Sequence, residues 1–128
     1  MQGDHDVTIE LDGDNELKSG GHNAGLEKDG HESEGTLTIK DDKGKDGSLT
    51  AEGGDKGGAG IGGGMESTGS NIKITGGTIE AVGGAGAAGI GGGVYGPGRD
   101  IEISGGKVSA TGGDADRKST RLNSSHIL

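Results

Sequence analysis

Asn71-Ile72-Lys73-Ile74-Thr75-Gly76-Gly77-Thr78-Ile79-Glu80-Ala81-Val82-Gly83-Gly84 returns 29 residues later as Asp100-Ile101-Glu102-Ile103-Ser104-Gly105-Gly106-Lys107-Val108-Ser109-Ala110-Thr111-Gly112-Gly113. The stretch ahead of each copy recurs at the same offset, Ala59-Gly60-Ile61-Gly62-Gly63-Gly64 as Ala88-Gly89-Ile90-Gly91-Gly92-Gly93. A fixed period of this size marks a stacked-repeat architecture, in which each repeat buries its apolar face only against its neighbours.

Inside the repeat the apolar residues alternate. Ile72 and Ile74 point one way with Lys73 and Thr75 the other; Ile79 and Ala81 point in with Thr78, Glu80 and Val82 out. A period of two means strands. Each run is short and closed by a glycine pair, which supplies positive φ at a corner. Three short strands per coil, returning parallel, make a β-solenoid, and crossovers between parallel strands are right-handed. The chain is therefore expected to be all-β, a right-handed parallel β-helix of about four coils of three short strands, the last coil incomplete.

Three stacked rows follow. The first face carries Val7 and Ile9, Leu37 and Ile39, Ile72 and Ile74, Ile101 and Ile103. The second stacks Leu17, Leu49, Ile79 and Val108, with Ser19, Ala51, Ala81 and Ala110 two residues later. The third stacks Leu26, Ile61 and Ile90, each preceded by Ala24, Ala59 or Ala88, and its fourth member is missing. The same alignment sets Glu10 beside Lys40 and Lys73 beside Glu102, opposite charges on adjacent strands about 4.8 Å apart.

The reading divides the chain into a β-helix fragment over 1–115 and a tail over 116–128. The regular 29-residue repeats lie within 57–113 and divergent coils within 7–56. Asp116-Arg117-Lys118-Ser119-Thr120-Arg121-Leu122-Asn123-Ser124-Ser125-His126 breaks the pattern where a third-face strand is due. All eleven residues match the translation of a widely used sequencing adapter, so the tail is read as a non-native addition. On that reading the solenoid continues beyond about Asp114 in its parent. The uncapped C-terminal coil then invites self-association.

Thirty-three glycines and a single aromatic residue in 128 positions exclude a globular core built from large side chains. The formal charge is −9; the tail contributes three bases and one acid, leaving −11 on the rest. Nucleic acid is not an expected partner, because phosphate binding needs a basic face. No apolar stretch approaches the roughly twenty residues a helical membrane span needs. The absence of cysteine is compatible with secretion without establishing it.

The string 57–64, Gly-Gly-Ala-Gly-Ile-Gly-Gly-Gly, followed by 71–84, resembles the glycine-rich β-helix repeats of bacterial secreted and cell-surface proteins. Those proteins are adhesin-like or carbohydrate-binding. The resemblance covers residues 7–113 and implies an extracellular or cell-surface location and a long multidomain parent. It specifies the coil and hands over no binding residue.

Several motifs invite over-reading. Gly58-Ala59-Gly60-Ile61-Gly62-Gly63 and Gly84-Ala85-Gly86-Ala87-Ala88-Gly89 both fit a dinucleotide fingerprint, yet no helical periodicity follows to aim a helix N-terminus at a pyrophosphate. Asp12 and Asp14 in one coil and Asp41, Asp42 and Asp46 in the next occupy stacked corners, a weak calcium candidate in a chain with no other cofactor signal; the alternative is a solvated acidic loop interspersed with Lys43 and Lys45. His5, His22 and His31 lie in polar segments without a nucleophile pattern, and Arg99 is the only arginine before the tail, so no catalytic residue is assigned.

The third corner is the longest loop of each coil and varies in sequence: Glu27 to Gly35, Gly62 to Ser70, Gly91 to Arg99. His31, Glu32, Glu34, Met65, Glu66, Tyr95 and Arg99 are the candidate ligand-binding residues there, since loops on a rigid scaffold carry function. The expectation is a non-enzymatic extracellular stalk or adhesin segment that binds carbohydrate, with extracellular or cell-wall polysaccharide as partner. The alternative is a fragment of a polysaccharide-processing β-helix enzyme, a lyase or hydrolase.

Overall fold

The computed structural model describes residues 5–28, 35–42 and 46–113. Eleven strands and no helix occur among them: β1 (Val7–Glu10), β2 (Asp14–Lys18), β3 (Leu26–Glu27), β4 (Leu37–Lys40), β5 (Ser48–Glu52), β6 (Ile61–Gly62), β7 (Gly69–Ile74), β8 (Thr78–Val82), β9 (Ile90–Gly91), β10 (Gly98–Ile103) and β11 (Lys107–Thr111). They form three parallel sheets, ordered β1-β4-β7-β10, β2-β5-β8-β11 and β3-β6-β9. The chain is a parallel β-helix of three full turns plus two strands of a fourth.

The first and third faces stack as the repeat requires. Val7 lies opposite Leu37, Leu37 opposite Ile72, and Ile72 opposite Ile101, with Ile9, Ile39, Ile74 and Ile103 two residues on. Leu26, Ile61 and Ile90 form the third row. Ile39, Ile61 and Ile74 are wholly buried, as are Ala51, Ala59 and Ala81. The core is thus a narrow cylinder of aliphatic side chains, each large one contributing about 1.5–3 kcal/mol on burial.

The second face departs from the expected alignment in its first turn. Asn15, not Leu17, lies opposite Leu49, and Leu17 falls opposite Ala51. Ser19 sits past the strand, where its hydroxyl donates to the Asn23 carbonyl at 2.6 Å. The cause is Leu11, which turns into the first corner and is only 3 % exposed. It packs so closely under the next turns that a Cβ on Gly47 would stand 2.6 Å from its Cβ, and one on Gly77 2.7 Å from its Cδ1. Leu11 fills the apolar space for which Leu17 is the sequence candidate, and Leu17 is left 38 % exposed. Asn15 turns its amide onto the backbone instead, donating to the carbonyls of Asp12, Gly13 and Ser48.

The glycine corners also divide by cause. In the first corner Gly77 and Gly106 have φ of +96° and +83°, the left-handed region expected there. In the second corner the reason is space. A Cβ on Gly54 would lie 2.2 Å from the carbonyl oxygen of Gly21, one on Gly84 1.7 Å from that of Gly54, and one on Gly113 1.8 Å from that of Gly84. These glycines form a column in which each backbone rests on the carbonyl one turn below. No rotamer change relieves such a contact, because both partners are main chain.

Gly84→Ala should therefore lower the unfolding free energy by about 3 kcal/mol, the upper range of core overpacking. Gly20→Ala, where no atom lies within 4 Å and φ is not positive, should change it by less than about 0.5 kcal/mol. Urea denaturation of both variants measures the contrast.

Candidate functional site

Outward side chains on a parallel sheet stand in rows at the strand spacing, so each either pairs with the next turn or faces a ligand or solvent. On the first sheet most charges pair. Lys40 Nζ lies 3.9 Å from Glu10 Oε1 and 2.9 Å from Asp42 Oδ2, and Lys73 Nζ lies 3.9 Å from Glu102 Oε1. Glu10 and Asp6 also accept the backbone N–H groups of Asp42 and Thr36. The hydrogen bond and charge of Asp42, helped by Glu10, raise the Lys40 ammonium above its ordinary pKa of 10.5.

The second sheet behaves differently. Near the first turn Lys18 pairs with Glu52 at 3.5 Å, and the Ser48 hydroxyl donates to Asp14 Oδ1 at 2.8 Å. Over the later turns, Thr50, Thr78, Glu80, Lys107 and Ser109 make no side-chain hydrogen bond or ion pair among the described residues. Their register places Ser48, Thr78 and Lys107 in one row and Thr50, Glu80 and Ser109 in the next. Between the rows runs a shallow trough of about 670 Å³, floored by the backbone of Leu49, Ile79 and Val108, whose side chains point into the core. Among the described residues hydroxyls, one carboxylate and one ammonium edge it while most of its exposed lining is carbon, which suits a ligand with both apolar and hydrogen-bonding faces lying along the solenoid axis.

The loop residues singled out from the sequence are only partly brought together. Met65 and Glu66 stand one turn from Val94 and Tyr95 at equivalent positions, and Glu66 and Tyr95 share a left-handed backbone, φ 63° and 65°. Tyr95 is 64 % exposed, whereas Val94 is buried. Arg99 is not a loop residue: it lies in β10 opposite Ser70, because the strand begins at Gly98. His31, Glu32 and Glu34 lie outside the described residues, as do Lys43 and Lys45.

The five acidic corner residues are each engaged or solvated separately. Asp41 Oδ2 accepts the Gly47 N–H at 2.9 Å, Asp42 pairs with Lys40, Asp14 holds Ser48, and Asp12 and Asp46 are exposed. Among the described residues no three His, Cys, Asp or Glu side chains converge to hold a metal. The trough itself was absent from the sequence candidates. Its signal was there: the outward rows 48/78/107 and 50/80/109 set no opposite charges side by side, unlike the first face.

With this geometry in place, the chain matches the Beta helix repeat family over residues 45–65, 72–94 and 101–115. Those segments contain all of β5, β6, β8, β9 and β11, residues 72–74 of β7 and residues 101–103 of β10. No curated protein and no solved structure matches the chain.

Asp42→Asn removes the largest cause of the Lys40 shift, so the Lys40 amine should titrate lower, back toward 10.5. Nitrogen-detected NMR titration of the lysine side chains reads the change.

Proposed function

We propose that this β-helix repeat segment is a non-enzymatic module of an extracellular or cell-surface protein, and that it binds carbohydrate along the trough of its second sheet. The observation that carries the reading is the set of unengaged polar groups on Thr50, Thr78, Glu80, Lys107 and Ser109, held on a rigid sheet while most charges of the first sheet pair with one another. A sugar chain offers hydroxyls that both donate and accept. Threonine and serine hydroxyls answer either role, a carboxylate accepts, and an ammonium donates. Because strands fix their positions, little conformational entropy is lost when a ligand engages them.

The non-enzymatic assignment rests on the carboxylate count in the trough. Hydrolysis of a glycosidic bond uses two carboxyl groups about 5 to 9.5 Å apart, and among the described residues Glu80 is the only one lining this trough. The extracellular assignment rests on the likeness of the glycine-rich coil to those of bacterial surface proteins.

Binding of the full chain to immobilised neutral and acidic polysaccharides tests the proposal. A variant carrying Thr50→Ala, Glu80→Gln and Lys107→Ala should lose about tenfold in affinity or more, since each hydrogen bond contributes about 0.5–1.5 kcal/mol. Tyr95→Ala should retain binding. Loss with Tyr95→Ala and not with the trough variant would move the site to the loop edge, silence across all polysaccharides would remove carbohydrate binding, and release of shortened products would make the chain an enzyme.

A further inference from the structure

We propose that the ligand of the second-sheet trough is a β-1,4-linked glycan bearing amino groups, and that Glu16 and Glu80 receive its ammonium groups. The inference rests on the carbohydrate reading above and narrows its ligand class.

Two outward rows edge the path of a ligand along this sheet, one residue from each turn. The first runs Asp14, Ser48, Thr78, Lys107 and the second Glu16, Thr50, Glu80, Ser109. In the second row Glu16 and Glu80 are exposed and make no side-chain hydrogen bond or ion pair among the described residues. The charges around them are already answered or stand apart. Lys18, two residues on from Glu16, pairs with Glu52 at 3.5 Å, and Asp14 holds the Ser48 hydroxyl. Lys107 lies in the other row, one turn past Glu80. A polyuronate laid here would set its carboxylates against Glu16 and Glu80 on a chain of formal charge −9, whereas an amino glycan brings the opposite charge.

The spacing of the two carboxylates narrows the linkage. Glu16 and Glu80 are two strands apart, about 10 Å at the spacing of paired strands. A β-1,4-linked pyranose ring advances its chain by roughly one such spacing. Successive rings turn over, so a substituent returns to the same edge at every second ring. Laid over the first three turns, a trimer therefore directs its outer amino groups to the row of Glu16 and Glu80 and its middle one to the row of Ser48. A fourth ring directs its amino group to the row of Lys107, a like charge, so the match ends at three. Carbon makes up most of the exposed lining of the trough and suits the apolar faces of the rings.

Calorimetric titration of the full chain at low salt and about pH 6, where a glutamate is ionised and a sugar amine protonated, tests this with β-1,4-linked trimers of glucose, N-acetylglucosamine and glucosamine. The glucosamine trimer should bind about two- to thirtyfold more tightly than the other two, the range for two exposed ion pairs. Glu16→Gln and Glu80→Gln should each reduce that preference and the double variant should abolish it, while Asp55→Asn, at an exposed position of the second corner, should leave it intact. The preference should rise from two rings to three and not from three to four. Equal binding of the three trimers, tighter binding of a glucuronate trimer, or a preference that ignores both glutamates overturns the ligand class and leaves carbohydrate binding standing. Failure of every trimer to bind removes both.

Discussion

The constraint on which this structure depends is the contact of main chain on main chain at the second corner. Gly54, Gly84 and Gly113 stack so closely on the turn below, the first of them on Gly21, that each missing Cβ marks the place of a carbonyl oxygen. Any other residue would wedge the turns apart there, and strands on all three faces would lose the spacing their hydrogen bonds need. This is why glycine is so abundant in a chain that nevertheless has a packed core. The cylinder is too narrow for aromatic side chains, so isoleucine, leucine, valine and alanine fill it in rows. The close corner and the thin core are one requirement met by two residue classes.

Much of this architecture is legible in the sequence because a period of 29 residues aligns like with like. The rows of Val7, Leu37, Ile72 and Ile101 and of Leu26, Ile61 and Ile90 stand in the structure as the alternation places them. The alignment fails where two leucines compete. Leu17 matches Leu49 by type, but Leu11, which carries the Val7/Ile9 alternation one step past β1 into the corner, is the one that reaches the core. Periodicity cannot rank a corner residue against a strand residue; only the space beneath Gly47 and Gly77 does. Arg99 shows the same limit at a boundary, since the left-handed backbone at Asn71 and Asp100 lets strands β7 and β10 begin earlier than alternation alone implies.

The candidate site was less legible for a different reason. Sequence attention goes to varied loops and to unusual residues such as Tyr95, whereas the trough is built from serines and threonines of no individual distinction. What sets them apart is a negative property of the stacked rows. Glu10 and Lys40, and Lys73 and Glu102, neutralise each other across turns of the first sheet, while Glu80 stands between Thr50 and Ser109 and Lys107 beside Thr78. The first sheet pairs most of its charges internally, whereas the later turns of the second leave their polar groups directed outward. That asymmetry exists only once the turns are stacked in register.

In-register stacking is therefore the claim to test first, and the absence of cysteine makes the test clean. Nitroxide labels on cysteines introduced at Thr78 and Lys107 report one row across two turns, since these residues are 29 apart in sequence yet opposite each other on adjacent strands. Stacking at about 4.8 Å predicts strong spin–spin broadening in the electron paramagnetic resonance spectrum. A flexible glycine-rich chain would separate the same residues by roughly 30 Å, and sharp, non-interacting lines from the doubly labelled protein would contradict the account.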